Sequence, residues 1–144
     1  MTQPINVEMV RDRAREIRES LGKIQTYTAQ PDADFFADER NSYTVMHLLL
    51  ISIEAVASIC NHLLAKTASK APASYSECFE GLRELGILDE PLTDRLIQMV
   101  HFRNILVHRY WQVEPEWVLH YARENLGDFE DFLGNVGHFV DQQL

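Results

Sequence analysis

Apolar residues recur at Val7, Val10, Ala14, Ile17, Leu21 and Ile24, three or four positions apart, with Arg, Asp and Glu between them. That spacing predicts an amphipathic helix with a narrow apolar stripe, interrupted at Pro31 and Asp32. A second pattern, from about Asp34 to Ala65, carries Ala, Leu and Ile on more than one face and predicts a mostly buried helix. Lys66 to Ala73 is small, polar and proline-containing, which suits a surface loop. Ser74-Tyr75-Ser76-Glu77 then has the form of a capping box, followed by Phe79, Leu82 and Leu85 on one face and Gly86 as the stop. Asp89 can cap the next helix with Pro91 in its first turn, and Leu92, Leu96, Met99, Val100, Leu106 and Val107 carry it to about Tyr110. Pro115 starts a last helix with the stripe Val118, Ala122, Leu126, Phe129, Leu133, Val136 and Val140. No stretch alternates with period two, and no internal repeat or low-complexity tract occurs. The expected fold is all-α, an antiparallel bundle of four to five helices formed by residues 1–144 as a single domain.

Composition narrows the class. With 13 Lys and Arg against 22 Asp and Glu, the net charge of −9 disfavours a chain that coats DNA or lies on an anionic membrane. The longest apolar stretch, Val45 to Leu64, is broken by His47, Ser52, Glu54, Asn61 and His62, so no membrane partner is expected. The amino terminus has no basic stretch followed by an apolar run. The two cysteines, Cys60 and Cys78, lie among apolar residues, and a chain of 144 residues needs no disulfide staple. A reducing, cytoplasmic setting is the simpler expectation.

Chemistry concentrates in His101-Phe102-Arg103-Asn104-Ile105-Leu106-Val107-His108-Arg109-Tyr110-Trp111. On a helix, Arg103 falls near the middle of the stripe of Leu92, Leu96, Met99, Leu106 and Tyr110, where a guanidinium needs a carboxylate or several hydrogen bonds. Arg40, His47, Glu54 and Asn61 recur every seven residues and share a face of the second helix, so Glu54 is a candidate partner for Arg103. For Arg40, His47 and Asn61 a structural or solvated role is the simpler reading. His108 lies five residues past Arg103, about 140° away around an unbroken helix. The two converge only if the helix unwinds near His108 or if two chains meet in a symmetric dimer. Arg95, Arg103 and Arg109, opposed only by Asp94, give this helix a local positive balance. Tyr110, on the apolar stripe, reads as a packing aromatic unless chemistry claims it. HExxH, clustered Cys/His pairs and Asp runs of ligand spacing are all lacking, so neither metal nor cofactor is expected.

Arg103-Asn104-Ile105-Leu106-Val107-His108-Arg109-Tyr110 resembles the Arg, four residues, His, any residue, Tyr signature of HepT-type toxins in the HEPN superfamily. The resemblance extends over nearly the whole chain, through Phe36 to Arg40, Ile53-Glu54-Ala55, Cys60-Asn61-His62, Ser74 to Glu77, Gly86 to Asp89 and Leu126 to Phe129. It implies an α-helical homodimer with both motifs facing one cleft, acting on RNA as a metal-independent endoribonuclease toxin of a type VII toxin–antitoxin module. Arg103 would stabilise transition-state charge, His108 would be the general acid or base, and Asn104 would orient one of them. Tyr110 would accept AMP from an MntA-type minimal nucleotidyltransferase antitoxin, filling the cleft with charge and bulk. Trp111 departs from the small or acidic residue the family leads one to expect there. Two other readings stand beside this one. The first is a non-catalytic helical adaptor binding nucleotide or protein; the second is a dimerising bundle in which Arg103 and Glu54 form a buried pair.

Overall fold

The computed structural model describes residues 3–144, and every described regular element is helical. Its helices are α1 (Val7–Thr28), α2 (Asp32–Ala37), α3 (Glu39–Ala68), α4 (Tyr75–Glu84), α5 (Glu90–His108), α6 (Pro115–Glu124) and α7 (Gly127–Gln142), with a 3₁₀ turn over Tyr110–Gln112. The all-α expectation holds, with more breaks than the apolar pattern shows.

Two predicted helices are each divided. The pattern from Asp34 to Ala65 contains a stop at Asp38, whose backbone is extended and whose side chain accepts the Arg40 N–H to cap α3. The predicted terminal helix breaks after Glu124. There Asp128 N–H donates to Asn125 O and Phe129 N–H to Leu126 O, a tightening to three-residue spacing that leaves buried side chains on both sides. Other ends fall where the capping residues place them. Ser74 Oγ accepts the Glu77 N–H at 3.1 Å, while Glu77 Oε2 reaches back to the Ala73 N–H at 2.9 Å. Asp89 Oδ1 accepts the Leu92 N–H at 2.8 Å, and Gly86, at φ +77°, supplies the left-handed turn after α4.

α3 is the axis of the bundle, packing against each of the other six α-helices. It is long and apolar enough to cross a membrane, but Val45, Leu49, Ile53, Val56, Ile59 and Leu63 are buried against protein on several sides. Phe35, Phe79, Phe129 and Phe132 close the core from α2, α4 and α7. α4 approaches α3 closely at Gly81, where a Cβ would stand 2.9 Å from both Leu64 methyl carbons. The same approach corrects the expectation of two separate thiols. Cys60 on α3 and Cys78 on α4 have Cα atoms 6.2 Å apart and are joined as a disulfide. Chain length argues only that such a link is unnecessary; helix packing decides that the two sulfurs meet.

Candidate active site at the carboxyl end of α5

α5 is fixed at its start by the Asp89 cap, and along its length by three ion pairs. Near the amino end, Arg95 binds Asp128 at 2.8 Å and Asp131 at 3.2 Å, both on α7. The local positive balance expected of this helix is thereby reduced, because carboxylates distant in sequence answer its cations. Two turns further on, Arg103 is about one-fifth exposed and meets Glu54 of α3, which is about half exposed. Arg103 Nε and Nη2 both donate to Glu54 Oε1, at 3.1 and 3.0 Å, and Nη1 donates to Asn104 Oδ1 at 3.1 Å. Three of five guanidinium N–H groups are thus engaged, leaving two for an anion.

Tyr75, the first residue of α4, completes this cluster. Its hydroxyl donates to the second Glu54 oxygen, Oε2, at 2.6 Å, and its ring lies under the guanidinium with Arg103 Cζ 5.0 Å from the centroid. Burial, followed by the hydrogen bond and charge of Glu54, raises the Tyr75 phenol above its usual value, with Arg103 opposing. The phenol therefore remains a donor at neutral pH. Sequence reasoning placed Tyr75 inside a capping box and missed its contact with Glu54. The signal was the box itself, which fixes where α4 begins; which helix that first turn faces is a tertiary matter.

Beside the cluster, a cavity of about 450 Å³ is lined by residues including Asn61, Pro72, Tyr75, His101 and Asn104. Asn61 thus borders the site, whereas Arg40 turns to Asp38 at 2.7 Å and His47 is simply exposed. Among the described residues no three His, Cys, Asp or Glu side chains are grouped as a metal site would require.

The other half of the motif is arranged differently. α5 remains α-helical through His108 and leaves the helix only at Arg109, at φ −139° and ψ 35°. The unwinding that would let Arg103 and His108 converge within one chain does not occur, so the angular separation of about 140° persists. His108 and Arg109 are exposed. Tyr110 begins the 3₁₀ turn and is 54% exposed, which overturns its reading as a packing aromatic on the α5 stripe. Trp111 is 67% exposed and sets its ring edge-on to Tyr110, centroids 5.4 Å apart. The structure thus gathers Arg103, Asn104 and Glu54 and leaves His108 and Tyr110 on the open surface. The Arg103–Glu54 pair is also too exposed for the buried pair of a purely structural bundle.

The chain is similar to known proteins over most of its length. The model of the family described as Ribonuclease HepT-like matches residues 17–136. The mRNA nuclease HepT of Shewanella oneidensis is 30% identical over 98 residues, covering 65% of this chain and 74% of that protein. The solved tri-AMPylated Shewanella oneidensis HEPN toxin in complex with MNT antitoxin superposes with a TM-score of 0.83 at 27% identity, over 90% of this chain and 97% of that one. A crystal structure of a toxin–antitoxin with AMP-PNP gives a TM-score of 0.81, also at 27% identity, over 89% of this chain and 97% of that one.

Proposed function

The chain belongs to the HepT-like ribonuclease family, and from that membership we propose that it is a toxin that cleaves RNA without a metal, through Arg103 and His108 brought together by two protomers. The observation that carries this reading is the state of Arg103. It is held from one side by Glu54, Asn104 and Tyr75 while two N–H groups stay free, the arrangement needed to receive a phosphate whose charge grows during reaction. His108, exposed at the helix end, supplies the proton transfers.

In this reading a 2′-hydroxyl of RNA loses its proton to the His108 imidazole as its oxygen bonds to the adjacent phosphorus. The bond from phosphorus to the 5′-oxygen breaks, and that oxygen takes a proton back from the His108 imidazolium as it leaves. The products are a 2′,3′-cyclic phosphate and a 5′-hydroxyl. Arg103 neutralises charge on the non-bridging oxygens, and Asn104 keeps the guanidinium oriented through its Oδ1. A symmetric dimer resolves the divergence of the two side chains by setting Arg103 of one protomer near His108 of the other.

Tyr110 is the proposed point of control by a nucleotidyltransferase antitoxin. Its hydroxyl stands on an exposed ring two residues from His108. Attack of that oxygen on the α-phosphorus of ATP would form a phosphodiester to AMP and release pyrophosphate. The added charge and bulk beside the motif would exclude RNA. The relative from Shewanella, AMPylated and bound to an MNT antitoxin, supports the assignment.

The test is incubation of the full chain with total RNA in EDTA beside His108→Ala. Fragments ending in cyclic or 2′/3′-phosphate, absent with the variant, are the expected result. Equal fragmentation by both proteins contradicts it. An unmodified wild-type chain that cleaves nothing points instead to the non-catalytic adaptor.

A further inference from the structure

A guanidinium assists a reaction most when it already waits where charge will develop, because reorientation during the reaction would consume part of the stabilisation. Glu54 alone is a poor anchor for Arg103. It is half exposed, and a solvated carboxylate on a flexible stem can rotate away. Its two oxygens are nonetheless divided between partners. Oε1 takes both Arg103 donors, and Oε2 takes the Tyr75 hydroxyl at 2.6 Å, so rotation of the carboxylate would break contacts at both ends. The Tyr75 ring meanwhile occupies one face of the guanidinium.

Tyr75 is itself well anchored. It opens α4 directly after the Ser74 cap, inside the reciprocal pair of bonds between Ser74 and Glu77 and between Glu77 and Ala73. One turn later, Cys78 ties the same helix to Cys60 of α3. The first turn of α4 is thus fastened to the helix that carries Glu54.

We propose that Tyr75 is a positioning residue for Arg103, locking the Glu54 carboxylate with its hydroxyl and supporting the guanidinium with its ring so that two N–H groups are presented to a substrate phosphate. The inference rests on the ribonuclease reading only for what those N–H groups meet. A Tyr75 that merely fastened α4 to α3 would affect stability and leave Arg103 where it is.

Two readouts on the full chain separate these roles, using Tyr75→Phe, which keeps the ring and loses the hydroxyl, and Tyr75→Leu, which loses both. The first is solvent exchange of the Arg103 Nε–H, identified in a nitrogen-15 spectrum by its disappearance in Arg103→Lys. Exchange should quicken roughly tenfold in Tyr75→Phe, the scale of one lost hydrogen bond, and further in Tyr75→Leu. The second is RNA cleavage, in which kcat should fall in the same order while KM stays within about twofold. Wild-type exchange in Tyr75→Phe overturns the proposal, as does a rise in KM with kcat unchanged. If wild-type protein cleaves no RNA, the ribonuclease reading fails by itself and the exchange rate still decides the role of Tyr75. If Tyr75→Leu does not fold, the near-isosteric Tyr75→Phe decides both readouts.

Discussion

Arg103 and His108 lie five residues apart on α5, and the protein treats them in opposite ways. Arg103 is four-fifths covered, fixed by contacts from α3, α4 and its own neighbour Asn104. His108 sits at the last helical residue in an exposed run with Val107, Arg109, Tyr110 and Trp111. A residue whose duty is to offer fixed charge gains from being held, since preorganised donors need no rearrangement at the moment of reaction. In the proposed reading His108 exchanges protons beside a tyrosine that another protein would reach, and it gains from being open. In the same proposed reading the contrast also marks what one chain lacks. It builds the cation's setting by itself and leaves the imidazole and two aromatic rings uncovered, a surface that a second copy and an antitoxin would have to share.

Substitutions at the two residues should separate activity from stability. Arg103→Ala and His108→Ala are each expected to reduce RNA cleavage by about a hundredfold or more, measured as kcat/KM in EDTA. Their thermal midpoints should diverge. His108→Ala should melt like the wild type, whereas Arg103→Ala leaves Glu54 and Tyr75 without their shared partner and should lose about 1 kcal/mol. Equal stability of the two variants would mean that Arg103 is held no more firmly than His108.

The next effect is that of Glu54→Ala. A fully buried ion pair costs about 3–5 kcal/mol when one member is removed, and an exposed one about 0–1. With Glu54 about half exposed and Arg103 about one-fifth, a loss of about 1–2 kcal/mol in chemical denaturation is expected. A loss of the full buried size would mean that the pair is a structural member and that the site account is wrong.

On the other flank of α5, Phe102 stacks on Tyr121 of α6 with centroids 4.2 Å apart, and the Tyr121 hydroxyl is buried without a partner. Tyr121→Phe removes an unsatisfied group and should stabilise the protein by about 1 kcal/mol, seen as a higher thermal midpoint, with cleavage unchanged. A change in cleavage would show that the motif depends on this flank as well as on the Arg103 cluster.

The smallest expected effect concerns pH. Burial, then the charge of Lys66, lowers the pKa of His62, whose Nε2 accepts the Asn6 N–H at 3.0 Å where α1 begins. A histidine with a depressed folded-state pKa contributes stability above its unfolded value of about 6.5 and loses it as pH falls through the folded value. Denaturation midpoints should therefore decline below about pH 6.5, and His62→Gln should flatten that decline. An unchanged decline in His62→Gln would show that the Asn6 contact does not carry it.

Much of this architecture can be read from local chemistry. Ser74, Asp89 and Pro115 mark helix starts because capping and proline geometry act within a turn, and the seven-residue spacing that puts Glu54 on one face of α3 makes it a natural partner for Arg103. Harder to read are features that depend on how helices meet. The breaks at Asp38 and after Glu124 leave the apolar pattern running on both sides, so periodicity does not register them. The Arg95 pairs with Asp128 and Asp131 span more than thirty residues. The Cys60–Cys78 link and the reach of Tyr75 to Glu54 both follow from the close approach of α4 to α3 at Gly81, which no single segment announces.

In the proposed mechanism the arginine's setting is complete within one chain, while the catalytic pair is complete only in two. Mixing tests it. Arg103→Ala and His108→Ala, each inactive alone, would be co-expressed so that mixed dimers form, and metal-free RNA cleavage measured. With Arg103 and His108 working across the interface, a mixed dimer keeps one intact pair, and random assortment should restore about a quarter of wild-type cleavage. Mixed dimers that remain as inactive as either parent would place both residues of the working pair in a single chain and overturn the pairing across protomers.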